Sequence, residues 1–155
     1  MQETRKKLKV LFLCTGNSCR SQMAEGWARV LKGDVIEAYS AGIKTRGLNE
    51  NAVKVMAEAG VDISSQRSKH VDELGGIKFD YVVTLCDHAS RHCPLFPGKA
   101  KIMHFGFDDP PRLARNASTE QEALDCYRRV RNQIRALVEK MPEVLQDLQA
   151  GGHKK

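Results

Sequence analysis

The sequence predicts an α/β fold of three layers, a four-stranded parallel sheet with helices on both faces. Two observations lead there. Short runs rich in aliphatic, aromatic and β-branched residues alternate with segments whose apolar residues recur every three to four positions. The first such run, Leu8 to Leu13, is apolar apart from Lys9, the pattern of a strand buried on both faces. Strands alternating with helices form βαβ units, and such units build a parallel sheet covered on both sides. A chain of 155 residues suits one domain, read here as a single domain over 1–155 with 1–6 and 151–155 as flexible tails.

The elements follow in order. After Leu8 to Leu13, "SQMAEGWARVL" (Ser21 to Leu31) places Met23, Ala24, Trp27, Ala28 and Leu31 at helical spacing, and Gly33 is its stop. Val35 to Ala41 reads as a second strand. Asn49 to Ala59 carries Ala52, Val53, Val55, Met56 and Ala59 on a helical pattern closed by Gly60. Phe79 to Leu85 is the third strand and Lys101 to Phe105 a shorter fourth. A capping box, Ser118–Gln121 or Thr119–Glu122, opens a long helix. Its apolar stripe runs through Leu124, Tyr127, Val130, Ile134, Leu137, Val138 and Met141, and Pro142 kinks or interrupts it.

Composition excludes several classes. The amino-terminal "MQETRKKLKV" is basic but leads into no long apolar core with a cleavage site, so it does not read as a signal peptide. No stretch approaches the roughly 18 apolar residues of a membrane span, so a cytoplasmic protein without membrane attachment is expected. The net charge of +6 could serve an anionic ligand or nucleic acid, but the basic residues are scattered. Aromatic residues are 6% and do not interleave with the basic runs, which argues against a nucleic-acid stacking surface. Five cysteines in such a chain are no disulfide framework; they are buried small apolar residues or chemistry.

The densest chemical signal is "CTGNSCRS", Cys14 to Ser21, between the first strand and the first helix. Ligands of parallel sheets sit beyond the carboxyl ends of the strands. A loop entering a helix N-terminus aims backbone N–H groups at one spot, and the helix dipole adds positive potential. That is a cradle for a tetrahedral oxyanion, formed by the N–H groups of Thr15, Gly16, Asn17, Ser18, Cys19, Arg20 and Ser21. Gly16 lets the chain turn tightly, and Asn17 tolerates left-handed dihedrals and can brace the loop. Arg20 offers a planar fork of donors to two oxyanion oxygens. In that field Cys14 is expected as the nucleophilic thiolate, with Ser21 donating to it. A cysteine six residues before an arginine is weak alone, and a buried apolar Cys14 with a surface Arg20 is the bland alternative. The strand before, the small polar filler and the helix after strengthen the chemical reading.

Other residues leave alternatives open. Asp109, before Pro110, reads locally as a turn former. In "CDHASRHCP", Cys86, His88, His92 and Cys93 could hold zinc, form a redox pair or pack inertly. His92 and Cys93 are neighbours and point about 100° apart on a helix, so one tetrahedral ion would not easily collect all four. If the segment between Cys86 and Cys93 is helical, the two lie beyond the roughly 7 Å of a disulfide and must approach by unwinding. Cys126 is expected to pack.

"VLFLCTGNSCRSQMAEG" resembles the phosphate-binding loop of the low-molecular-weight tyrosine phosphatase fold, and more closely that of the thioredoxin-coupled arsenate reductases of this fold. "YSAGI" (Tyr39 to Ile43), "VVTLCD" (Val82 to Asp87) and "FGFDDPP" (Phe105 to Pro111) extend the likeness over most of the chain. The resemblance implies arsenate reduction, with phosphate or sulfate as competing oxyanions, Cys14 as nucleophile and Arg20 as oxyanion ligand. It implies Asp109 as general acid and a relay through Cys86 and Cys93 to thioredoxin. Cys19 matches a second loop cysteine that supports the loop. No metal or organic cofactor is implied, and a monomer is expected. The alternative is a low-molecular-weight protein tyrosine phosphatase, although Pro111 and Arg112 stand where that branch usually has tyrosines. Some of these reductases bind potassium through an acidic residue in the segment matching Arg67 to Lys69. Here that segment is "RSK", so a lysine ammonium is expected in the cation's place and no potassium dependence. Arg112 to Glu120 looks extended and takes no role.

Overall fold

The computed structural model describes residues 6–86, 89 and 100–146. The chain runs β1 (Leu8–Cys14), α1 (Arg20–Lys32), β2 (Ile36–Gly42), α2 (Glu50–Glu58), a 3-10 turn (Val71–Leu74), β3 (Tyr81–Thr84), β4 (Lys101–His104), α3 (Pro110–Ala114) and α4 (Glu120–Glu139). The sheet order is β2-β1-β3-β4 and every pairing is parallel. The fold is the three-layer α/β arrangement expected, with helices covering both faces. β1 lies at its centre. Leu8 to Cys14 register with Ile36 to Gly42 on one side, and Val10 to Leu13 with Tyr81 to Thr84 on the other. Val10, Leu11, Phe12 and Leu13 are all fully buried, which explains their unbroken apolarity.

α1 packs on β1, β2 and α4. Met23, Ala24, Trp27 and Ala28 are buried, and each large side chain among them contributes roughly 1.5–3 kcal/mol by leaving water. A Cβ at Gly26 would lie 2.6 Å from Ile63 Cγ2, so this turn of α1 must be glycine for the 61–63 segment to pack against it. α2 stops where Gly60 takes φ +87°, a left-handed value that suits glycine. α4 buries Leu124, Tyr127, Val130, Ile134 and Val138, as the stripe predicts. It ends at Glu139, so Pro142 interrupts the helix, and a helical turn at 143–146 follows.

Two expectations are corrected. β3 is shorter than Phe79 to Leu85, running only over Tyr81–Thr84; Asp80 before it still donates its N–H to Lys9 O at 2.8 Å, and its carboxylate accepts the Lys9 N–H at 2.8 Å. The Leu85 N–H still reaches Leu13 O at 2.9 Å. Thr119 caps α4 by accepting the Glu122 N–H at 3.1 Å, but Glu122 returns to the Ser118 N–H at 2.7 Å, one residue earlier than a capping box requires. Arg112 to Ala114 complete α3, started by Pro110 and Pro111, whose fixed φ suits a first helical turn.

Candidate active site

Cys14 ends β1 at the point where the sheet order reverses between β2 and β3. Residues 15–19 form the loop to α1. The loop is held from outside by its carbonyls. Those of Cys14, Thr15, Gly16 and Ser18 accept the N–H groups of Ile43 (3.2 Å), Lys44 (2.9 Å), Arg46 (3.1 Å) and Asn49 (2.9 Å). Asn17 O accepts Gln22 Nε2 at 2.9 Å, and Ser68 Oγ donates to Gly16 O at 3.0 Å. A trans peptide sets its N–H opposite its C=O. Carbonyls turned into the scaffold therefore turn the N–H groups toward the loop interior, the arrangement that receives an anion.

Asn17 is the pivot. It is fully buried at φ +48°, the left-handed value its short amide tolerates. Its Oδ1 accepts the Lys69 N–H (2.8 Å) and Gln22 Nε2 (3.0 Å), while its Nδ2 donates to Ser21 Oγ at 2.8 Å. Gly16 has another reason than the turn predicted for it. Its φ is not positive, and a Cβ there would lie 2.7 Å from Arg46 Cδ, so the glycine makes room for the Arg46 stem.

The Cys14 sulfur is 3% exposed as a residue and lies 2.9 Å from Ser21 Oγ. Because Asn17 already donates to that oxygen, the Ser21 hydroxyl proton is free to point at the sulfur. Cys86 is brought to the same place. Its sulfur is 3.1 Å from Thr15 Oγ1 and accepts the Ala89 N–H at 3.4 Å. Cys19 caps α1 without a side-chain bond, and burial, then the neighbouring Cys14, pushes its thiol well up from the ordinary value. It packs as a neutral thiol. Cys126 is half-buried on α4, donating to Glu122 O.

Arg20 donates from Nη1 to Phe107 O at 2.9 Å and pairs through Nη2 with Asp109 Oδ1 at 3.4 Å. Its buried Nε has no partner among the described residues, leaving a donor for an oxyanion oxygen. Asp109 opens α3, so α3 carries it across from β4 to the loop. Cys14, Arg20 and Asp109 line one cavity of about 270 Å³ with Arg46, Leu48, Asn49, Pro111 and Arg115. A larger hollow of about 540 Å³, near the start of β1, is lined by residues such as Leu8, Leu31 and Pro142 and has no cysteine or histidine on its described walls.

Lys69 stands where the sequence reading expects a cation. Its Nζ is 4.0 Å from Glu25 Oε1 and donates to Arg67 O at 3.1 Å, and Ser40 Oγ donates to the same Glu25 carboxylate. Burial draws the Lys69 ammonium down from its ordinary value, opposed by Glu25. A potassium ion set against Glu25 would face this ammonium, so the residues do not fit one. Among the described residues no group of three or more His, Cys, Asp or Glu is placed to hold a metal. Cys93, His88 and His92 lie outside the described residues.

Sequence reasoning missed the outer supports. Ser68, Asn49 and Arg46 come from irregular segments and meet the loop only through the fold, and Arg115 at the end of α3 reaches the cavity wall in the same way. Asn49 carried one signal, its place as a cap before α2, where Oδ1 accepts the Ala52 N–H at 3.0 Å. Its Nδ2 also donates to Tyr127 Oη at 3.2 Å.

A buried cysteine under an N–H cradle at the switch point of a parallel sheet, closed by an arginine and an aspartate, defines the class of thiol-dependent enzymes acting on tetrahedral oxyanions. The chain belongs to the low molecular weight phosphotyrosine protein phosphatase family, which it matches over residues 9–151. It is 51% identical over 128 residues to an arsenate reductase of Halalkalibacterium halodurans, covering 83% of this chain and 90% of that one. It is 53% identical over 125 residues to an arsenate reductase of Bacillus subtilis, covering 81% and 88%. Among solved structures it superposes on an arsenate reductase in the phosphate binding state with a TM-score of 0.69 at 30% identity, covering 86% of this chain and 95% of that one. No helix among the described residues is long and apolar enough to cross a membrane.

Proposed function

We propose that this chain reduces arsenate to arsenite in the cytoplasm, as a monomer, with thioredoxin returning it to the dithiol state. The arsenate reductases to which it is similar support the substrate, and the loop supports the chemistry. Arsenate rests on the N–H groups of residues 15–21 and on Arg20. The Cys14 thiolate attacks arsenic, and Asp109 gives a proton to the departing oxygen, which leaves as water. The Cys86 thiolate then attacks Cys14 sulfur. The sulfur–arsenic electron pair goes to arsenic, arsenite leaves, and a Cys14–Cys86 disulfide forms. Cys93 attacks Cys86, restoring Cys14, and the dithiol of thioredoxin reduces the Cys86–Cys93 bond.

The observation that carries this reading is the Thr15–Cys86 contact at 3.1 Å. A phosphatase needs no second cysteine at its loop. Here the Ala89 N–H donates to Cys86, and the Thr15 hydroxyl lies within hydrogen-bond reach to do the same once the sulfur attacks as thiolate. The part of Cys93 rests on the sequence and on its likeness to the relatives.

The test is NADPH consumption on adding arsenate, with thioredoxin and its reductase, for the wild type beside Cys86→Ser and Cys93→Ser. Turnover in the wild type alone is expected. Undiminished steady-state turnover in Cys93→Ser would sink the relay. The family itself favours a second reading, a tyrosine phosphatase, for which Cys14, Arg20 and Asp109 suffice. Weak hydrolysis of small aryl phosphates is expected in any case. Strong activity on phosphotyrosine peptides, kept in Cys86→Ser without arsenate turnover, would favour the phosphatase.

A further inference from the structure

Beyond Arg20, the walls of the site cavity carry two more guanidinium groups, Arg46 and Arg115. They come from opposite directions, Arg46 from the segment after β2 and Arg115 from the end of α3. Neither has an ion-pair partner among the described residues, and both are exposed. The one carboxylate on the cavity wall, Asp109, is already paired with Arg20. The count is three guanidiniums against one carboxylate, an excess of two positive charges around a space sized for a small anion.

Arg46 is also held in place. Its N–H binds Gly16 O at 3.1 Å, and its stem lies where a Gly16 Cβ would be, 2.7 Å from Cδ. The loop that cradles the anion therefore fixes the base of the arginine over its own mouth.

We infer that Arg46 and Arg115 are specificity-determining residues that capture free oxyanion dianions at the cavity mouth. The inference rests on the oxyanion chemistry proposed above. A free arsenate or phosphate seated over Cys14 turns its fourth oxygen outward, toward these arginines. An aryl phosphate carries its ring on that oxygen and gains less from them. Exposed charges act through water, so they raise the encounter rate and ground-state affinity and are screened by salt. Their loss appears in KM rather than in kcat.

The test is calorimetric binding of inorganic phosphate to the reduced full chain, for the wild type, R46Q/R115Q and R46K/R115K, in a series of salt concentrations. The thermal midpoint of each variant is checked by circular dichroism. At low salt the double glutamine variant is expected to raise Kd about tenfold, roughly threefold for each exposed charge. The difference shrinks as salt rises, and the lysine variant recovers most of the affinity. KM for arsenate follows Kd, with kcat within about twofold, and KM for p-nitrophenyl phosphate rises less. A double glutamine variant that binds phosphate within twofold of the wild type at low salt overturns the inference. So does one with unchanged phosphate binding but slower thioredoxin-coupled turnover, which makes the arginines a docking site for the reductant. Arginine-dependent phosphate binding in a wild type that consumes no NADPH with arsenate upholds the capture role and removes the reductase reading alone.

Discussion

Ser21 shows how one hydroxyl is given a direction. Its oxygen accepts from Asn17 at 2.8 Å, so its proton goes to Cys14 sulfur at 2.9 Å. A hydrogen bond to a charged group is worth about 1.5–3 kcal/mol, or roughly ten- to a hundredfold in rate if lost from the attacking thiolate. Ser21→Ala should therefore slow the alkylation of Cys14 by iodoacetamide at pH 7 by about that factor, and lose about 1–3 kcal/mol of stability because the buried Asn17 Nδ2 loses its acceptor. Arsenate-dependent turnover should fall with it. Alkylation at the wild-type rate would reduce Ser21 to a space filler. Cys14, Arg20 and Ser21 were legible because all lie within one short segment whose spacing carries their meaning. The two-way use of Asn17 was legible only in half: its left-handed backbone follows from its residue type, but its acceptance of the Lys69 N–H depends on a strand of chain 52 residues away.

The loop is shaped by the segment after β2 more than by its own sequence. Four of its carbonyls are taken by N–H groups between Ile43 and Asn49. A Cβ on Gly42 would meet Lys44 O at 2.4 Å and Asn17 N at 2.8 Å, so β2 must end in glycine to let that segment close on the loop. Asn49 is its far anchor. It caps α2, donates its N–H to Ser18 O at 2.9 Å and ties Tyr127 of α4 through Nδ2. Removing an N-cap costs about 1 kcal/mol, and the buried Tyr127 hydroxyl loses a partner as well. Asn49→Ala should lower stability by about 1.5–2.5 kcal/mol in urea unfolding and raise KM for arsenate. A loss under about 0.5 kcal/mol would mean that the cap is dispensable. The regular elements were readable because periodicity is a local property, and their bounds moved by a residue or two. The 43–49 and 66–70 segments were not, because they have no period and their order comes from contacts with residues distant in sequence.

At the scale of the molecule, Lys69 joins three parts of the fold. Its N–H holds the loop through Asn17, its ammonium faces Glu25 of α1, and Glu25 accepts from Ser40 of β2. The "RSK" segment told of a basic residue there, but not that the glutamate it neutralises would sit on the first helix or that Ser40 would share it. A carboxylate with so little exposure needs a positive partner, since an uncompensated buried charge costs several kcal/mol. The chain supplies that partner covalently, so it should be indifferent to the monovalent cation in solution. The thermal midpoint and the arsenate turnover of the wild type should be the same in potassium chloride and sodium chloride. Lys69→Ala leaves Glu25 with Arg29 and Ser40 only. Because Arg29 still compensates Glu25, it should lose about 1 kcal/mol, seen as a fall in midpoint of roughly 2–4 °C for a domain of this size. Potassium chloride should restore part of that loss where sodium chloride does not, because a weakly hydrated cation can take the place of the ammonium. A wild type whose midpoint rises by several degrees in potassium, or a Lys69→Ala protein as stable as the wild type in sodium, would show that the ammonium does not stand in for a bound cation.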